Sequence, residues 1–104
     1  MRPNAYKVIA IAALIPLDPE FADMCLLKVY EKQEADEQDE LQTKRENMVG
    51  FNRADAHALS YAAKEISNHV PLSEYWRAEV NARLPKYSKQ ILSLLTEQEI
   101  DSWL

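Results

Sequence analysis

A chain of 104 residues, 47% of them apolar, is long enough for one domain with a real core and too short for two. Twelve bases against seventeen acids leave a net charge of -5, which argues against nucleic acid as the default partner, and a single glycine excludes a glycine-rich phosphate loop. One cysteine excludes a disulfide framework and points to a reducing, cytoplasmic compartment.

The chain opens with Arg2 and Lys7 followed by an apolar run over residues 8–17, the order of a signal peptide's charged and apolar regions. Leu17, Asp18, Pro19 and Glu20 stand where a small-x-small cleavage site belongs, so a signal is not expected, and the run is short of the roughly 20 apolar residues a membrane span needs. It reads as a short, almost wholly apolar helix from Asn4 or Ala5 to Ile15, ended by Pro16 and inserted into the core. Val8, Ile9, Ile11 and Ile15 would suit a buried strand, but no second convincing strand is present to pair with it.

Asp18-Pro19-Glu20 is a helix start: a side-chain oxygen for free N–H groups, a proline where no N–H is needed, and an acid at the positive end of the dipole. From Phe21 to Tyr30, Phe21, Met24, Cys25, Leu26, Leu27, Val29 and Tyr30 cover more than one face, so this half is expected to be core, with Cys25 a small buried hydrophobe. On that placement Leu27→Ala should cost about 2 to 5 kcal/mol. Residues 31–47 then invert the pattern, with seven acids, three bases and only Ala35 and Leu41 apolar. Lys32/Asp36 and Glu40/Lys44 lie at i, i+4 spacing, which favours one helix from Pro19 to about Asn47; roughly 28 residues would make it about 42 Å long. The competing reading is a solvated, partly disordered loop over the same residues.

Gly50 falls where that helix should stop, and Asn52 with Asp55 three residues on resembles a capping box for a helix over residues 53–68. Its apolar side is mostly alanine (Ala54, Ala56, Ala58, Ala62, Ala63), which permits close packing and a central position. Val70 and Pro71 break it. A helix over residues 72–84 follows, with Leu72, Tyr75, Trp76, Val80 and Leu84 on one side, ended by Pro85. Residues 87–95 make another, and Thr96 with Glu99 forms a capping box for a last one over residues 97–104. These elements predict an all-α fold, a compact bundle of about five or six helices in a single domain over residues 1–104.

Candidate chemistry is sparse. His57 and His69 are twelve residues apart on one predicted helix, about 18 Å along its axis, and cannot share a metal. His57 and Ser60 share a face, but Arg53 and Tyr61 occupy the positions from which an acid would orient the imidazole. Glu65 with His69 reads as a helix C-cap. Neither zinc spacing nor a pair of Glu-x-x-His motifs occurs, so no catalytic residue, metal or cofactor is expected and the chain is read as a non-enzyme.

Binding is the remaining class. Glu31, Glu34, Asp36, Glu37, Asp39 and Glu40 would form an acidic array suited to a basic, normally nucleic-acid-binding groove of a partner protein, as a nucleic-acid mimic does; the plain alternative is a solvated helix face. Ile100, Trp103 and Leu104 give the last helix one apolar face that must dock, within the chain against Leu92–Leu95 and Tyr75/Trp76, or as an interface anchor on a second copy or a partner. Arg77, Arg83, Lys86 and Lys89, among Tyr75, Trp76 and Tyr87, have the residue types for DNA or RNA contact, but Arg77 and Arg83 point about 240° apart around a helix. The reading is a small protein-binding regulator or inhibitor acting by occlusion or scaffolding, off the membrane, with a DNA- or RNA-binding regulator as the alternative. Small acidic helical proteins of this class include accessory proteins of mobile elements.

Overall fold

The structure, a computed structural model, describes residues 3–39 and 51–104. In chain order it forms α1 (Pro3–Leu14), α2 (Pro19–Asp39), α3 (Arg53–Ser67), α4 (Glu74–Arg83), a 3-10 turn (Leu84–Tyr87), α5 (Ser88–Leu94) and α6 (Glu97–Trp103). Every regular element among the described residues is helical, as the cap signals and apolar spacings predicted. The radius of gyration of 13.6 Å is close to the roughly 13 Å of a compact 100-residue globule.

The first half of α2 is the spine. Asp18 Oδ1 accepts the N–H groups of Glu20 and Phe21 at 3.1 and 3.2 Å, capping the helix where the sequence placed its start. Phe21, Ala22, Cys25, Leu26 and Val29 are fully buried along one broad stripe, and Met24, Leu27 and Tyr30 flank it half-buried. The helix runs to Asp39; the expected continuation to Asn47 and the stop at Gly50 lie outside the described residues.

Helix α3 packs on both α2 and α4, which is the central position its alanines suggested, with Leu59, Ala62 and Ala63 buried at the contacts. It ends in a Schellman motif: the His69 N–H bonds the Ile66 carbonyl at 2.9 Å and the Val70 N–H bonds the Glu65 carbonyl at 2.8 Å. The motif needs a left-handed residue, and His69 supplies it at φ 63°. Left-handed backbone costs a residue with a Cβ about 1 to 2 kcal/mol. His69→Gly should therefore raise stability by about 1 kcal/mol and the melting temperature by about 5 °C, read by thermal unfolding.

Two boundaries differ from expectation. Helix α4 begins at Glu74, not Leu72, because Ser73 Oγ caps it by accepting the Trp76 N–H at 3.3 Å. Pro85 does not separate α4 from α5 by a loop; its fixed φ suits the first turn of a 3-10 segment that carries the chain into α5. A third difference concerns α1. It is helical as predicted, but it lies along α5 and the 3-10 turn instead of being inserted into the core. Only Ile11 and Ile15 are buried, while Tyr6, Ile9 and Leu17 remain 64%, 57% and 77% exposed.

Candidate functional site

Asp55 is the most deeply buried charged side chain among the described residues, at 1% exposure. Asn52 caps α3 by accepting the Asp55 N–H at 2.9 Å, and the sequence suggested that the Asp55 carboxylate would return the bond to the Asn52 N–H. Tyr87 stands in that place instead. The Asn52 N–H donates to the Tyr87 hydroxyl at 3.0 Å, and the hydroxyl donates to Asp55 Oδ2 at 2.7 Å. The carboxylate turns inward and meets Arg83 Nη1 at 2.9 Å on Oδ1 and Lys86 Nζ at 2.8 Å on Oδ2. Arg83 is aimed from its other edge by Glu79, one turn earlier on α4, at 2.7 Å. The Phe51 ring meets Tyr87 edge-on at 5.5 Å, and the Phe51 N–H donates to Gln33 of α2 at 2.8 Å. The group thus clasps the start of α3 to α2, to α4 and to the 3-10 turn.

Burial alone would push the Asp55 carboxyl up, but hydrogen bonds from Lys86, Tyr87 and Arg83 outweigh it and hold the group below its ordinary value. Burial, and then the bond to Asp55, push Tyr87 up to about 12. An ionised carboxylate with both oxygens occupied and a phenol that stays protonated are poorly matched to proton transfer near neutral pH. The arrangement suits a structural node. Its sequence signal was the i, i+3, i+4 spacing of Arg83, Lys86 and Tyr87, which puts two cations and a hydroxyl on one side of the helical path.

The residues of the nucleic-acid reading are dispersed by these bonds. Arg77 pairs with Asp23 of α2 at 2.9 Å, Arg83 and Lys86 converge on Asp55, and Lys89 lies apart on α5. Of the acidic array, Glu31 is exposed on α2; Glu34, Asp36, Glu37 and Asp39 lie on the same helix with side chains outside what is described, and Glu40 lies outside the described residues.

Of the C-terminal anchor residues, Trp103 and Ile100 pack against their own chain, with Phe21 and not the Tyr75/Trp76 face as the aromatic contact of Trp103. The Thr96 capping box forms, with Glu99 N–H to Thr96 Oγ1 at 3.1 Å and Thr96 N–H to Glu99 Oε1 at 2.9 Å, and Glu99 Oε2 also pairs with Lys28 of α2 at 3.0 Å. The Thr96 N–H first, and Lys28 after it, hold the Glu99 carboxyl below its ordinary value. Trp103 packs on Phe21 at 5.2 Å, and Ile100 lies half-buried against the core, while Leu104 is partly exposed. The Tyr75/Trp76 face is filled otherwise: Trp76 stacks with Tyr61 at 4.7 Å and with Tyr75 at 5.0 Å. Deleting residues 101–104 should accordingly lower the melting temperature without changing the mass measured by sedimentation; an unchanged melting curve would contradict the Trp103–Phe21 contact.

Cys25 is buried, and burial, reinforced by Glu99 and partly offset by Lys28, pushes its thiol up to about 12, an inert state. Both His57 and His69 are exposed, and among the described residues no cluster of His, Cys, Asp or Glu could hold a metal ion. No described helix is long and apolar enough to cross a membrane. An open concavity of 780 Å³ lies between α1, α5 and α6, with Ala5, Val8, Ile9, Leu92 and Ile100 as its apolar lining and Lys7 of α1 and Lys89 of α5 as its charged lining.

Comparison with known protein families, with curated proteins and with solved structures found no match.

Proposed function

We propose that this chain is a non-enzymatic protein-binding module, acting by occlusion or scaffolding, that presents the acidic stretch of residues 31–46 to a basic partner protein. The observation that carries the reading is the distribution of charge, with four of the chain's cations turned inward and its acids concentrated in one stretch. Lys28, Arg77, Arg83 and Lys86 are each within 3.0 Å of a carboxylate of their own chain. Residues 31–46 hold seven acids against three bases, a net -4 out of the chain's -5, and Glu31 at the start of the stretch faces solvent. A field of one sign speeds encounter with a partner of the other sign and gives occlusion of a nucleic-acid groove a physical basis.

The decisive experiment pairs a pull-down from the native host with charge reversal. Asp36, Glu37, Asp39 and Glu40 changed together to lysine should abolish retention of the partner identified by mass spectrometry, with circular dichroism showing that the module keeps its fold. Wild-type affinity should fall as salt is added. Binding indifferent to both salt and reversal would end this reading. Salt-sensitive binding of the wild type to random DNA would favour the DNA- or RNA-binding alternative through Lys89 and its neighbours, against which the internal pairing of Arg77, Arg83 and Lys86 counts.

A further inference from the structure

The outer side of α1 is unusual for a solvent-facing helix. In a soluble fold the exposed side of a helix is ordinarily charged, yet Tyr6, Ile9, Ala13 and, just beyond the helix, Leu17 are exposed at spacings of three and four residues with no charge among them. Beside this stripe runs the concavity between α1, α5 and α6, floored by Val8, Ile9, Leu92 and Ile100. Its volume of 780 Å³ is within the range of about 300 to 1,000 Å³ typical of binding pockets, and it is open to solvent on an apolar floor, the kind of surface on which the apolar face of an amphipathic helix docks. No acid lines it. In a chain of net charge -5 its charged lining is two lysines, Lys7 on α1 and Lys89 on α5, and among the described residues neither has a carboxylate partner.

We propose that this groove binds an amphipathic helix of a partner protein, one whose apolar stripe fills the Val8–Ile9–Leu92–Ile100 floor while glutamates or aspartates on its two flanks meet Lys7 and Lys89. Charge decides the occupant. A second copy docked here about a two-fold axis would set the lysines of one groove against those of the other, a like-charge contact that costs affinity. The densest run of acids on a second copy, residues 31–46, sits in a stretch with only Ala35 and Leu41 apolar, which cannot cover four aliphatic side chains. The groove shares no residue with the acidic stretch and carries the opposite charge, so it stands whether or not that stretch has a partner.

A displayed library of helical peptides about 18 residues long, roughly 27 Å, tests the proposal. Selection on the wild-type protein should enrich peptides with an apolar i, i+3, i+7 stripe flanked by acids, and Ile9→Glu, at an exposed position that leaves the core intact, should enrich none of them. A fluorescein-labelled peptide from the selection should lose about tenfold in affinity when Lys7→Glu and Lys89→Glu are combined, and a copy with lysine flanks should recover it on that double variant. Circular dichroism of each variant checks that the fold is kept. The proposal is overturned if selection yields no acid-flanked stripe, if the double variant binds the acidic peptide unchanged, or if sedimentation shows a wild-type dimer that Ile9→Glu dissociates, since a second copy would then cover the face.

Discussion

Asp55→Ala is expected to lower the stability of this protein by about 3 kcal/mol and its melting temperature by about 15 °C, the loss typical of removing one member of a buried charged network. The substitution leaves the buried Tyr87 hydroxyl without its acceptor and takes the shared carboxylate from Arg83 and Lys86. Those two cations are partly exposed and can return to water, so most of the cost falls on Tyr87 and on the tie between α3 and the 3-10 turn. Tyr87→Phe should cost about 1 to 2 kcal/mol, and the double variant should fall short of the sum of the singles, because both remove the same bond. Urea unfolding reads all three; additive losses would show that the bond contributes little.

The same cluster, together with Glu99 of the Thr96 capping box, contributes to the pH dependence. Asp55 and Glu99 are both held below their ordinary values in the folded chain, so the unfolded chain binds protons more readily at low pH. Their contribution is complete above the unfolded values, about pH 4, and is lost as pH falls through the folded ones. Tyr87 works in the other direction: raised to about 12, it contributes fully below its unfolded value near pH 10 and loses that contribution as pH rises toward 12. Asp55→Ala should flatten the acid limb of a stability–pH curve in part, the remainder belonging to Glu99.

Leu26→Ala is expected to cost about 3 to 5 kcal/mol, since Leu26 is fully buried between α2 and its neighbours and close packing there cannot collapse onto the space left. Leu27, which the sequence placed in the core together with Leu26, is half-buried at the edge of the stripe, and Leu27→Ala should cost nearer 1 kcal/mol. The contrast between adjacent leucines, measured by urea unfolding, tests the orientation of α2. Equal losses would mean that the helix is rotated from the position described.

What the sequence determined is what acts within a turn or two of helix. Asp18, Asn52 and Thr96 each accept an N–H no more than three residues ahead, so the starts of α2, α3 and α6 were legible from caps alone. Periodicity likewise marked α3 as central and α4 as one-sided, and the scarcity of glycine and of strand-like runs decided the all-helical class. Ser73 follows the same rule, accepting the Trp76 N–H three residues ahead, and it outweighs the apolar spacing that would start α4 at Leu72.

What only the tertiary structure decided are the pairings between distant residues. Tyr87 and Asp55 are 32 positions apart, and local capping rules assign the Asn52 N–H to Asp55 because no rule within one turn foresees a phenol arriving from another element. The burial of Asp55, and with it the diversion of Arg83 and Lys86 from nucleic acid to a carboxylate of their own chain, follows from that arrival. Trp103 had an apolar face by spacing, but spacing names no neighbour, and Phe21 near the other end of the chain proved to be the contact. On α1 the apolar residues go nearly all the way round, so nothing local selects a face. Packing against α5 and the 3-10 turn chose Ile11 and Ile15, and that choice left Tyr6 and Ile9 outside, beside a groove flanked by lysines.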